Sequence, residues 1–396
     1  MGLSRLLART VAGALLFAAG AGQAVPPPPT VAEPPVIQTV SIPQVRPPRT
    51  GSPTTQERSL ATWTPGPVTC EGGVTVAGTP IRRPFNSLIW NGMAGRTQDT
   101  VLRFDIDASG RPVSIRGQTR FGLNSDAAPA LAASRFPAAA HEGCSVTYRG
   151  ETRPVSEAPV ADLVAYTINP LSEPLPPQGW ARIRAEGNCS DRPRPAPLLR
   201  AFPDFRQIPA TPGVKDWTLI GYDTDAGGKP VNVHAVLGTG NGRLDADAVD
   251  AVRKSRFTGG ARTACLFPYW RAPEPLVAPA MPEKGAYQDK QPGSCPPQGA
   301  WAVAPTLRFP PAYARRKIEG WAILRYDVAP WGEIGNVSVL EAQPAEDFGL
   351  QAMQILRTAK AAPSAQGATG CVDRVKFVMP ADDASESEPQ AVAAVF

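Results

Sequence analysis

The chain has 396 residues, 42% of them hydrophobic and 19% charged, with a formal net charge of +5. That length suggests two or three domains with small cores rather than one large core. The charge falls to +3 once Arg5 and Arg9 leave with an N-terminal leader, too weak and too scattered to argue for nucleic acid.

Arg5 and Arg9 precede the apolar run from Val11 to Ala19, and small residues around Ala21 to Ala24 offer a cleavage site. This is the pattern of an export signal over residues 1–24. An uncleaved anchor is the alternative, since Val11 to Val25 is almost wholly non-polar, though short of the ~20 residues a spanning helix needs. Residues 25–66 read as a linker. A tetraproline, Pro26 to Pro29, is followed by Pro34, Pro35, Pro43, Pro47, Pro48 and Pro53, which favours an extended spacer.

Three stretches then follow one plan: 67–154, 155–273 and 274–380. The first has strands over 100–106 and 113–116. Asn124, Ser125 and Asp126 are candidate caps of an Ala-rich helix that ends near Phe136, and a closing strand runs from Cys144 to Tyr148. The second has strands over 217–222 and 231–236. Its helix opens with Asp245 and Asp247 and ends with Arg253, Lys254 and Arg256, charges that suit the helix dipole.

The third stretch is the most regular. Pro310 to Ile318 reads as a short helix with proline near its start. The strand Gly320 to Val328 sets Ala322, Leu324, Tyr326 and Val328 on one face and Trp321, Ile323, Arg325 and Asp327 on the other. A second strand follows at 336–340. Then comes a helix with Phe348, Ala352, Ile355, Leu356 and Ala359 on one stripe, and a strand from Cys371 to Met379. Residues 381–396, with Asp382, Asp383, Glu386 and Glu388, read as a disordered acidic tail.

Spacing supports the plan. Phe104-Asp105, Tyr222-Asp223 and Tyr326-Asp327 each precede a glycine at one fixed distance: Gly110, Gly228 and Gly332. These aspartates are expected to cap or brace the hairpin turn. Six cysteines allow 15 pairings. The repeat selects one bridge per stretch: Cys70–Cys144, Cys189–Cys265 and Cys295–Cys371. Export makes oxidation plausible, and closing loops of this length is worth ~4 kcal/mol each in the chain-entropy model. The fold class is α+β: three repeated small domains, each a three-stranded antiparallel sheet with helices on one face. One sheet face and at least one edge strand stay open, and an open edge can capture an extended peptide.

Catalytic chemistry finds little support. His141 and His234 occupy unrelated positions in the repeat, and no close cysteine pair offers a metal site. Asp223-Thr224-Asp225 sits at a hairpin turn and is not the Asp-Thr-Gly of an aspartic protease. Arg315, Arg316 and Lys317 form a basic cluster that reads as a solvated helix face, with a patch for acidic or membrane surfaces as the functional alternative. The expectation is a non-enzymatic protein with no cofactor and no metal.

The third stretch resembles the C-terminal domain of the TonB family. The resemblance rests on Pro310-Pro311-Ala312-Tyr313-Ala314-Arg315-Arg316, Glu319-Gly320-Trp321-Ala322, Tyr326-Asp327-Val328, Gly332, Asn336-Val337-Ser338-Val339, the helix from Phe348, and Val375-Lys376-Phe377. The helix Leu244 to Phe257 is similar to the family's second helix, and the first stretch is similar more loosely. Where the family carries a tryptophan near the end of that helix, this chain has Ser134, Ser255 and Ala359. The resemblance implies a binding module in the periplasm, or secreted, that takes a partner's segment by strand addition. The edge strand would supply Val372, Arg374, Val375, Lys376, Phe377 and Val378. Partners would be other envelope proteins, TonB-dependent outer-membrane receptors among them. If the N-terminal segment is retained as an inner-membrane anchor, an ExbB/ExbD-like proton-driven complex joins that set, and the chain becomes an energy transducer.

Overall fold

The computed structural model describes residues 57–76, 82–90, 97–117, 126–287, 295 and 301–380. The leader, the proline-rich stretch up to residue 56, the caps Asn124 and Ser125, and the acidic tail 381–396 lie outside these residues.

The first stretch holds β1 (Arg58–Pro65), β2 (Val68–Thr69), β3 (Thr75–Val76), β4 (Ser87–Trp90), β5 (Thr100–Ile106), β6 (Pro112–Arg116), α1 (Ala127–Ala132) and β7 (His141–Pro154). In β5 the alternation is clean: Leu102, Phe104 and Ile106 are buried, while Val101 and Arg103 are exposed. The turn to β6 closes on Asp107, whose carboxylate accepts from the N–H groups of Ser109 and Arg111.

Two expectations are corrected here. The linker does not extend to residue 66, because Arg58–Pro65 is a strand. This run is free of proline until its last residue and buries Leu60, Ala61 and Trp63. The sheet also has seven strands rather than three. β7 runs on past Tyr148, and β1 pairs along that extension and with β4.

Next come α2 (Val160–Ile168), α3 (Pro177–Ile183), β8 (Pro197–Leu199), β9 (Asp216–Thr224), β10 (Pro230–Gly238), α4 (Gly242–Lys254), β11 (Arg256–Phe257) and β12 (Arg262–Arg271). The sheet order is β10-β9-β12. α4 starts where Asn241 Oδ1 accepts from Leu244 N at 3.1 Å, and it buries Leu244, Ala248, Ala251 and Val252. α2 and α3 have no counterpart among the expected elements. With Leu163 and Tyr166 they cover the Trp217 and Leu219 face of β9, and they meet Leu60 and Leu88 of the first sheet.

The last elements are β13 (Trp301–Val303), α5 (Pro311–Arg315), β14 (Gly320–Val328), β15 (Ile334–Gln343), α6 (Glu346–Arg357), β16 (Lys360–Ala361) and β17 (Ala368–Phe377), with sheet order β15-β14-β17. Ala322, Leu324, Tyr326 and Val328 join a core with Phe348, Ala352 and Phe377 of the helix side. The opposite face was expected to stay open. Instead Trp321, Ile323 and Val372 are buried beneath Ala278, Met281 and Tyr287 of the preceding connection.

The described residues form one compact unit. The first and third stretches share a core in which Leu102, Phe104 and Phe136 belong to one cluster with Leu324, Tyr326 and Phe348. At this junction Arg316 is buried, so the solvated basic face is corrected for that residue, while Arg315 remains exposed. Arg316 donates to both oxygens of Asp126 at 2.9 and 2.6 Å and to the carbonyls of Arg83 and Gly213. Its guanidinium also lies 4.0 Å from the ring centroid of Phe85. Asp126 is therefore the N-cap residue of α1 without making a side-chain cap bond.

Candidate functional site

The same three strands recur in each stretch, with the inner strand between an outer hairpin strand and a closing strand: β6-β5-β7, β10-β9-β12 and β15-β14-β17. The repeated aspartates belong to the inner strands. They do not brace the turn, as was expected. Asp105 accepts from Gly143 N at 2.9 Å, Asp223 from Ala264 N at 2.9 Å and Asp327 from Gly370 N at 2.8 Å. Each donor directly precedes the cysteine of the closing strand, and each has a left-handed backbone, with φ of 59°, 54° and 66°. The second oxygen of Asp223 accepts from Asn232, and that of Asp327 from Asn336. Asn232 and Asn336, like Ser114 in the first stretch, sit at positive φ in a bulge of the outer strand. The carboxyls of Asp223 and Asp327 lie below the usual range, chiefly because of the asparagine donor and then the backbone donor.

The repeated glycines have a separate task. A Cβ on Gly110, Gly228 or Gly332 would lie 2.0, 1.8 or 2.1 Å from the carbonyl oxygen of Phe136, Phe257 or Ala361. In return those three residues donate their N–H to the glycine carbonyls. The hairpin turn is thus seated on the chain that leaves the second helix. Ser134 and Ser255 act at the same place. Ser134 Oγ accepts from Arg82 N, and Ser255 Oγ accepts from Ala201 N, while each hydroxyl donates back to the helix carbonyl of Ala130 or Ala251.

The three disulfides pair as the spacing implied: Cys70–Cys144, Cys189–Cys265 and Cys295–Cys371. Each ties a preceding segment to its closing strand. In the first stretch that segment is also hydrogen-bonded alongside, with Thr69 opposite Ser145.

The proposed binding residues lie on β17 and just beyond it. β17 is at the end of its sheet, and among the described residues no strand pairs with its outer edge. Its side chains are committed to the fold. Phe377 packs on Phe309 and Phe348, with centroids at 5.7 and 5.3 Å. Val375 leans on the same core, and Val372 is buried on the other face. Arg374 donates to the Pro282 carbonyl. Tyr326 donates to Asp373 at 2.7 Å, and burial together with this bond raises its phenol. Lys376 and Val378 are exposed. What remains on offer is mainly backbone.

The matching edge in the first stretch is filled. Along the outer side of β7, residues 59–65 and Thr69 pair antiparallel with residues 148–154 and Ser145, joined by Gly66 N donating to Thr147 O. The chain's own segment is a strand added to a closing strand. Sequence reasoning missed this because the segment follows a proline-rich run. It also missed the Arg316–Asp126 pair, which no local pattern announces.

Among the described residues, no group of three or more His, Cys, Asp or Glu is arranged to hold a metal, and no helix is long and apolar enough to cross a membrane. Residues 305–379 match the family model of the Gram-negative bacterial TonB protein C-terminal. The matched span runs from before α5 through β17, so this part of the chain is a TonB C-terminal-like domain. No curated protein matches the chain.

Proposed function

We propose that this is an exported, non-enzymatic protein of the TonB family, built from three TonB C-terminal-like units. It binds other envelope proteins on the periplasmic side by strand addition at the outer edge of β17. The observation that carries this reading is the contrast between two equivalent edges: β7 takes Arg58–Pro65 as an added antiparallel strand, and β17 takes none among the described residues. The family match over residues 305–379 supports an envelope role, and the three internal bridges suit an oxidising compartment. Shared Asp, Gly and bulge geometry supports the reading of three related units.

Capture from Gram-negative envelope extract tests the reading, using the full chain and its Val375→Pro variant. Proline removes a donor from the strand and disfavours pairing. The expected result is loss of capture by the variant, with amides of 372–378 protected from hydrogen exchange in the wild-type complex. Circular dichroism shows whether the variant stays folded. Equal capture by a folded variant, or a complex with no protection over 372–378, sinks the proposal. Energy transduction is the second reading, favoured by the family match itself. It differs in requiring residues 11–25 to be kept as an anchor.

A further inference from the structure

Of the three outer hairpin strands, β6 is engaged along its edge inside the molecule, by the last residue of β15 and the residues after it. Ser114 N donates to Gln343 Oε1 at 2.8 Å, Ile115 N to Pro344 O at 2.9 Å and Gly117 N to Glu346 Oε1 at 3.0 Å. In this way β6 and the end of β15 close on each other. β10 has no such neighbour: among the described residues it pairs with β9 alone. Most of its nine residues are exposed, including Val231 and Val236. Its sequence, Pro230 to Gly238, holds three valines and no lysine, arginine, aspartate or glutamate, the charges by which proteins guard an edge. The bulge at Asn232 and Val233 bends the strand, yet β6 carries the same bulge and is engaged.

A shallow, open groove of about 720 Å³ lies beside the first half of this strand, lined by Lys229 to His234 and by Arg253 from the last turn of α4. The lining holds two exposed cations and a histidine, and no carboxylate. Two of the acids near this lining already have partners. Asp223 accepts from Asn232 and Ala264, and Asp250 pairs with Arg253 at 3.2 Å across a well-exposed contact.

We infer that the outer edge of β10 takes an extended acidic peptide segment of a partner protein as a fourth strand. The peptide backbone pairs with β10, and its carboxylates lie over Lys229 and Arg253. Main-chain groups of the free edge supply the ladder, and the cationic groove selects the sign of the charge. This site is in the second stretch, on the opposite side of its sheet from the closing strand, and does not depend on what β17 does.

The test uses the full chain and two labelled peptides of β10's length. Both alternate valine and threonine; one carries glutamates toward its ends and the other lysines. Fluorescence anisotropy measures binding, and hydrogen exchange locates it. The glutamate peptide is expected to bind and to slow exchange over 230–238 while 372–378 is unchanged. The surface variant K229E/R253E should weaken it about tenfold or more, and methylating alternate peptide amides should abolish binding. The inference fails if the lysine peptide binds equally well or if 230–238 gains no protection. It also fails if 230–238 is protected without peptide as concentration rises, since a second copy is then the occupant. Protection confined to 372–378 overturns this inference and leaves the β17 reading standing.

Discussion

A single carboxylate in each stretch holds the left-handed residue before the closing cysteine, and in the second and third stretches it holds the bulged outer strand as well. Asp223 and Asp327 each accept from a bulged asparagine and from a left-handed residue before the cysteine. The bonded form is the ionised one, so the native pKa lies below the ordinary 3.8. The sign follows: the contribution is complete above the unfolded-state value and is lost as pH falls through the lowered native value. Between about pH 5 and about pH 2, unfolding midpoints of the wild type should therefore fall more steeply than those of Asp327→Asn. At neutral pH, Asp327→Ala should cost about 1 kcal/mol, below the usual range for bonds to a charged group because this carboxylate stays wet. Parallel pH slopes would show that the bond carries no linkage. The position of these aspartates was legible from spacing, but their partners were not. A turn acid and a cross-strand acid look alike until Gly143, Ala264 and Gly370 are brought beside them. The turn acids proper are Asp107 and Asp225, two residues further on.

At the scale of elements, each closing strand is fastened to a segment about 75 residues earlier. Removing such a bridge frees a long loop in the unfolded chain. The double variant C189A/C265A should lose about 4 kcal/mol in urea unfolding, with native secondary structure kept by circular dichroism. A loss below about 1 kcal/mol would mean that the unfolded chain is already compact. Strand and helix positions were readable because their periods are local. β14 shows the limit of that reading. Its two faces were separated correctly, yet both are buried, since alternation distinguishes faces and cannot say what covers the second one. That cover, Ala278 to Tyr287, has no pattern of its own. β1 was hidden for a related reason: its pairing partner lies beyond Tyr148 on a strand expected to have ended.

Over the whole molecule, the ion pair of Arg316 and Asp126 joins parts of the chain 190 residues apart and also holds Gly213 O from between them. Both side chains are almost wholly buried, 2% and 1% exposed. Removing one partner strands a charge in the interior, so Arg316→Ala should cost about 3–5 kcal/mol by chemical unfolding. The double variant Asp126→Ala with Arg316→Met should recover part of that loss, because no unpaired charge is left. If the two single losses simply add in the double variant, the pair is not coupled and Arg316 acts only through packing on Phe85. The shared core of the first and third stretches gives the same picture, since Leu102 and Leu324 belong to one cluster.

By itself, the sequence determined what short-range order can encode. Spacing of cysteines predicted three bridges, period-2 and period-3.6 patterns predicted the hairpins and second helices, and Pro310 to Phe377 carried a family's residues. Each of these depends on neighbours along the chain or on a regular repeat. The tertiary structure alone decided which edges are free. β6, β10 and β15 have similar local design, and β7, β12 and β17 likewise. Whether an edge is filled depends on a segment arriving from far along the chain: Arg58–Pro65 on β7, and the residues that follow β15 on β6. Backbone hydrogen bonding is nearly blind to side-chain identity, so the residues of an edge strand do not name the distant segment that comes to lie beside it.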